Sequence, residues 1–199
     1  MMKLRPLNLQ DAPLMLEWMH DLDITQYLRT DFSKKTLLDC EEFIISSHTD
    51  KSNLHLAIVS EDDEYMGTIS LKNIVDKNAE FAICLRRSAM GSGLASSAMK
   101  NILKKGFDEL GLETIYWYVS TANKRAIRFY DKNDYNRTDS RPTIIGGGRS
   151  SAGHFICLVS RNEIQPYGII LYLHPNITYQ TMLISSYIDS LFFCGKAGV

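Results

Sequence analysis

The chain has 199 residues, enough for one domain with an extension. Its 22 Lys and Arg stand against 23 Asp and Glu, a formal net charge of −1. That balance argues against nucleic acid or an anionic membrane as the main partner, because binders of either carry a basic excess. The start, MMKLRPLNLQD, lacks the apolar stretch of a secretory signal. Cys40, Cys84, Cys157 and Cys194 are widely spaced, with no CxxC. The expectation is reduced thiols in a cytoplasmic protein.

Taken in order, Lys3–Leu7 reads as a short strand. Asn8 or Asp11 then caps a helix carrying Leu14, Met15, Trp18 and Met19 at helical spacing. A second helix is predicted over Asp39–Ser47. Leu54–Ser60 and Tyr65–Ile74 form a hairpin around the acidic turn EDDE, and Asn78–Arg86 is a third, more buried strand. The next helix places Leu94, Ala98, Ile102, Leu103, Phe107 and Leu110 on one stripe and stops at Gly111. Glu113–Ser120 is a strand. Asn123–Asn133 is a short helix with Asn123 at its N-cap. Two final strands lie in YNRTDS and HFICLVS, joined by a loop containing GGGRSSAG (Gly146–Gly153). This order predicts an α/β (α+β layered) domain over residues 1–162: a mixed sheet of about seven strands with helices on both sides. Residues 163–199 are apolar and charge-poor. His174, Pro175, Asn176 and Gln180 interrupt them before about 20 apolar residues accumulate, so no membrane span is expected. They could pack on the domain or on a second subunit, which leaves a homodimer open.

Gly91 and Gly93 stand where the third strand hands over to a helix. Helix N-termini expose unpaired N–H groups and a partial positive charge, and glycines let the chain turn several N–H groups onto one phosphate. The alternative is an ordinary strand–helix turn. The segment is not a P-loop, having no lysine in place. It is not the dinucleotide fingerprint either, since Ser96 stands where a third glycine is needed.

Three segments carry a resemblance: AMGSGLASSAM, NKRAIRFYDKNDY and the opening LRPLNLQDAPLMLEW. Together they resemble the GNAT N-acetyltransferase family, within it the branch of ribosomal-protein alanine and spermidine acetyltransferases, and they cover Lys3 to Arg161 in the family's order. The chain departs from the pattern twice. Ser88 replaces the usual Gln or Arg, with Arg86 and Arg87 close by, and Asp134 replaces a glycine expected at a left-handed turn.

The resemblance implies transfer of an acetyl group from acetyl-CoA to a primary amine, by direct attack and without a metal. Gly91, Ser92, Gly93, Leu94 and Ala95 would cradle the pyrophosphate. The main chain of Ile83 and Leu85 would pair with the pantetheine arm, and Asn123 would bond that arm or cap its helix. Ala126 and Tyr130 share one face of that helix, with Tyr130 the candidate general acid; otherwise it is a core tyrosine. Glu80, an acid within an apolar strand, is the candidate general base acting through a water, or else a solvent-facing strand residue. Trp18, Tyr27 and Phe32, with His20, would line the acceptor pocket under the first helix pair, although Trp18 at helical spacing also suits a core. The histidines show no metal spacing. The implied acceptor is a small-molecule amine: a polyamine, an amino sugar or an antibiotic amine. Alternatives within and outside that chemistry are a protein amine and a non-catalytic acyl-CoA sensor.

Overall fold

The computed structural model describes residues 2–138 and 155–161. The Gly146–Gly153 loop and the extension from residue 163 lie outside them. The elements are β1 (Lys3–Pro6), α1 (Ala12–Met19), α2 (Leu22–Thr25), α3 (Leu37–Ser47), β2 (Leu54–Val59), β3 (Tyr65–Val75), β4 (Asn78–Leu85), α4 (Leu94–Lys104), β5 (Thr114–Ser120), α5 (Lys124–Lys132), β6 (Asn136–Thr138) and β7 (Phe155–Arg161).

Five strands, β1–β5, form the helix-flanked body of the sheet, and β7 then β6 continue it beyond β5, in the order β1-β2-β3-β4-β5-β7-β6. Every neighbouring pair is antiparallel except β4 and β5, which run parallel. Asp76 and Lys77, both at positive φ, make the two-residue turn between β3 and β4. Positive φ at both central positions matches the twist of the flanking strands, and an irregularity between Lys72 and Val75 then shifts the register so that Lys72 stands opposite Glu80.

Alternation along the strands divides two cores. Leu56, Ile58, Ile69, Leu71, Phe81, Ile115 and Trp117 meet Ile102 of α4 and Tyr130 of α5 on one face. On the other, Ala57, Val59 and Tyr65 meet Met15, Trp18 and Met19 of α1 and Cys40 and Ile44 of α3. Burial of these apolar faces is the main force holding the helices to the sheet.

Three helical details differ from the sequence expectation. A one-turn helix, α2, follows α1, capped by the Asp21 side chain on the Asp23 N–H at 3.0 Å. The next helix, α3, starts before Asp39, because Thr36 and Asp39 bond reciprocally in a capping box. The helix predicted to run unbroken to Leu110 widens into a π turn over Lys105–Glu109. A side chain on Gly106 there would meet Ile115 Cδ1 at 2.7 Å, so the turn lets the main chain press onto β5.

Candidate active site

The parallel pairing of β4 and β5 covers only Asn78–Glu80 against Thr114–Tyr116. Beyond it, β4 stays with β3 as far as Leu85 opposite Gly67, and β5 stays with β7. The two strands therefore part at Phe81 and Trp117 and leave a wedge. One edge of the Phe81–Leu85 main chain faces it, ready to pair with an extended ligand. Ile83 and Leu85 lie on that edge. At the mouth, Gly67 lets β3 crowd β4: a Cβ there would stand 2.2 Å from the Cys84 carbonyl oxygen.

The glycine turn sits at the same end. Gly91 and Gly93 take φ of +82° and +83°, with nothing within 4 Å of an added Cβ at either, so the backbone conformation and not space demands glycine. The Ser92 hydroxyl donates to the Ala89 carbonyl at 2.7 Å and steadies the turn. The eleven-residue α4 begins at Leu94, and Ser97 N–H is bonded to Gly93 O. The N–H groups of Leu94, Ala95 and Ser96 precede that first helical bond, at the end of a helix where an anion can be received.

The arginines beside Ser88 do not serve this cradle. Arg86 is buried and donates to Glu17 at 3.1 and 3.0 Å, to Glu64 at 2.8 Å and to the Tyr65 carbonyl at 3.1 Å. Arg87 donates to Asp21 at 2.9 and 2.7 Å and to Asp23 at 2.7 Å, and it holds the Asp21 carboxyl below its ordinary pKa. Both cations tie the turn to the α1–α2 segment. The cradle's positive potential thus comes from main-chain N–H groups and the end of α4.

Asn123 Oδ1 accepts from Ala126 N–H at 3.0 Å, so this side chain caps α5. Ala126 is half-buried on that helix. Tyr130 is buried, its ring 5.5 Å from Trp117, 5.1 Å from Phe129 and 6.1 Å from Tyr135. Burial pushes its phenol well above the ordinary pKa and keeps it protonated. Trp117 in turn lies 5.5 Å from Phe81, and these are the first residues past the β4–β5 pairing. Tyr130 therefore stands at the base of the wedge. Asp134, just after α5, takes φ +56°, the left-handed conformation expected there.

Glu80 answers a question that the sequence left open, namely which face it takes. With Phe81 in the α4–α5 core, alternation turns Glu80 to the α1–α3 side. Its Oε1 accepts from Arg29 at 2.7 Å and from Lys72 at 3.1 Å. The Arg29 guanidinium lies 5.2 Å above the Tyr118 ring. Tyr130 and Glu80 thus flank the wedge from opposite faces of the sheet. Trp18 is a core residue: it is buried and donates its indole N–H to the Tyr65 hydroxyl at 3.0 Å. Phe32 packs edge-on against Trp18 at 5.4 Å and is half-buried, as is Tyr27. His20 is exposed, with a ring nitrogen 2.8 Å from the Lys35 carbonyl. Sequence reasoning missed Arg29 and Lys72. Lys72 had a signal, since Thr68, Ser70 and Lys72 alternate as a polar face along β3; Arg29 sits in a polar connection and had none.

A long, anionic, amide-bearing group such as coenzyme A fits these features: an N–H cradle, an unpaired strand edge and a wedge between. Trp117 adds an independent sign. Its indole N–H is buried without a hydrogen-bond partner among the described residues. Such an orphan costs about 1–3 kcal/mol unless something in the wedge accepts from it. Among the described residues, no group of three or more His, Cys, Asp or Glu is placed to hold a metal.

Residues 2–136 match the model of the acetyltransferase (GNAT) domain. The chain belongs to the GNAT family. Acetyltransferase PseH of Campylobacter jejuni is 30% identical over 136 residues, 67% of this chain and 82% of that protein. Spermidine N(1)-acetyltransferase of Escherichia coli is 31% identical over 137 residues, 65% of this chain and 70% of that one. The GNAT fold is shared with spermidine N-acetyltransferase from Vibrio cholerae in complex with CoA and spermine: TM-score 0.68, 19% identity, 80% of this chain and 95% of that chain. No helix among the described residues is long and apolar enough to cross a membrane.

Proposed function

We propose that the protein transfers an acetyl group from acetyl-CoA to a primary amine of a small molecule, by direct attack in a ternary complex. The observation that carries this reading is the wedge between β4 and β5, with a protonated Tyr130 on one face and Glu80 on the other. An amine on the α1–α3 side can meet a thioester threaded from the α4–α5 side. Relatives named for acetyl transfer to spermidine support a small-molecule acceptor.

Acetyl-CoA supplies the acetyl group as an activated thioester when it is bound. The N–H groups of the Gly91–Ala95 segment hold its pyrophosphate, and the main chain of Ile83 and Leu85 aligns its arm. The Asn123 cap fixes α5, so that Ala126 and Tyr130 face the arm together. Tyr130 donates its proton to the departing thiolate, and burial keeps that phenol protonated until the thiolate forms. Glu80 takes the amine's proton through a water, and Arg29 and Lys72 hold its carboxylate in place.

The test is thiol release from acetyl-CoA against polyamines, amino sugars, aminoglycosides and short peptides, in the wild type and in Tyr130→Phe. The expected result is amine-dependent release that falls about 100-fold in kcat in the variant, with acetyl-CoA binding retained. Tight acetyl-CoA binding with no release for any amine would overturn the reading in favour of a sensor.

A further inference from the structure

The cluster around Glu80 contains two cations and one anion, and their arrangement is lopsided. The carboxylate lies inside, its side chain 12% exposed, while Arg29 is 50% and Lys72 33% exposed. A molecule arriving from the α1–α3 side therefore meets the cations first. The segment that delivers Arg29, from Gln26 to Thr36, also carries Lys34 and Lys35 against a single acid, Asp31. Lys35 is committed to Asp39. Asp31 bonds the Ser33 N–H at 2.9 Å.

We propose that Arg29 and Lys72 form an anion-recognition subsite beside Glu80, so that the preferred acceptor is an amine bearing a phosphate or carboxylate group and not a polyamine. The inference rests on the acetyltransferase reading and specifies its acceptor.

Three observations carry it. First, Arg29 is held by two contacts, Nη2 on Glu80 at 2.7 Å and its plane over Tyr118 at 5.2 Å. These two contacts restrict the guanidinium before the ligand arrives. Its planar fork matches phosphate and carboxylate oxygens in pairs. Second, Lys72 converges on the same Glu80 oxygen from β3, so the three charges sum to +1 at one point. A polyamine must bring several positive charges past the exposed pair, whereas an anionic group gains from it. Third, cationic surroundings disfavour the ammonium form of an incoming amine and favour the free base. The free base is the form that attacks a thioester, so one device serves both recognition and reactivity.

The simpler role for both residues is to hold Glu80, and the experiment must separate the two. We would measure kcat/KM for glucosamine, glucosamine 6-phosphate, 2-amino-2-deoxyglucuronate and spermidine. The enzymes are the wild type, Arg29→Gln, Lys72→Met and the double variant. The expected wild-type result is a preference of roughly tenfold or more for an anionic amine over glucosamine, with spermidine poorest. The preference falls toward unity in the double variant. The larger of the phosphate and carboxylate ratios identifies the anion. If the residues only hold Glu80, the variants lose rate on all four amines equally and the ratios stay constant. That outcome, or spermidine as the best substrate, overturns the proposal and leaves the acetyltransferase reading standing. Acetyl-CoA binding with none of these amines turned over, nor any in the wider panel, overturns both.

Discussion

Arg86 and Glu17, 69 residues apart in sequence, meet through two hydrogen bonds of 3.1 and 3.0 Å between the end of β4 and α1. Arg86 also reaches Glu64 and the Tyr65 carbonyl, so one buried guanidinium joins α1, the start of β3 and the glycine turn. Substituting Arg86→Met removes all these bonds and leaves Glu17 and Glu64 without their shared cation. The expected loss is about 2–3 kcal/mol of unfolding free energy, read from urea denaturation. A change under about 0.5 kcal/mol would show that the network is solvated and adds nothing.

That network shows where sequence reading stops. Strands β2 to β5 and helix α4 were legible because alternation and 3.6-residue periodicity are local properties of the chain. The Asn123 cap and the glycine turn were legible for the same reason. The short separation of β4 and β5 was not, since nothing in NAEFAICL says that its partner leaves after three residues. Nor could spacing show that Arg29, Lys72 and Glu80 share one oxygen. Thr36 and Asp39 form a capping box that starts α3 ahead of the position the apolar pattern alone indicates. Trp18 carried two readings in the sequence, acceptor pocket and core, because helical spacing alone does not say what covers a side chain; it is buried, with its indole N–H on the Tyr65 hydroxyl.

Gly67 sits where β3 and β4 press closely together. A methyl group there must displace the Cys84 carbonyl or the Leu85 backbone, at 2.2 and 2.9 Å, and neither is the free end of a side chain. Gly67→Ala should cost roughly 2–3 kcal/mol, seen as a lower urea midpoint with an unchanged m-value. Because the strain falls on β4 at the mouth of the wedge, the KM for acetyl-CoA should rise as well.

Gly93 makes the contrasting case. An added Cβ meets nothing within 4 Å, but φ of +83° is unfavourable for alanine. Gly93→Ala should cost only about 1–2 kcal/mol of stability. Relaxing the residue out of the left-handed region re-aims the first N–H groups of α4. The expected result is an acetyl-CoA affinity at least about tenfold weaker by titration calorimetry, with a smaller effect on kcat. Unchanged affinity would detach the turn from the cofactor.

Alkaline pH should unfold the protein early, and the sign follows from which state keeps its protons. Burial pushes the Cys84 thiol from 9.0 up to about 12 and raises the phenols of Tyr65 and Tyr130 above 10.0. The stability associated with these protonated groups is fully present below the unfolded-state values. It is lost as pH rises, because the unfolded chain ionises first. Each group contributes a slope of about −1.4 kcal/mol per pH unit, beginning near 9 for the thiol and near 10 for the phenols. Urea midpoints measured between pH 8 and 11 should hold steady and then fall with increasing steepness. Tyr130→Phe removes one of the three protons, so its curve should fall less steeply above pH 10 and converge with that of the wild type. Parallel curves would mean that the Tyr130 hydroxyl reaches solvent, and a phenol ionising near its ordinary value would no longer be held neutral by burial.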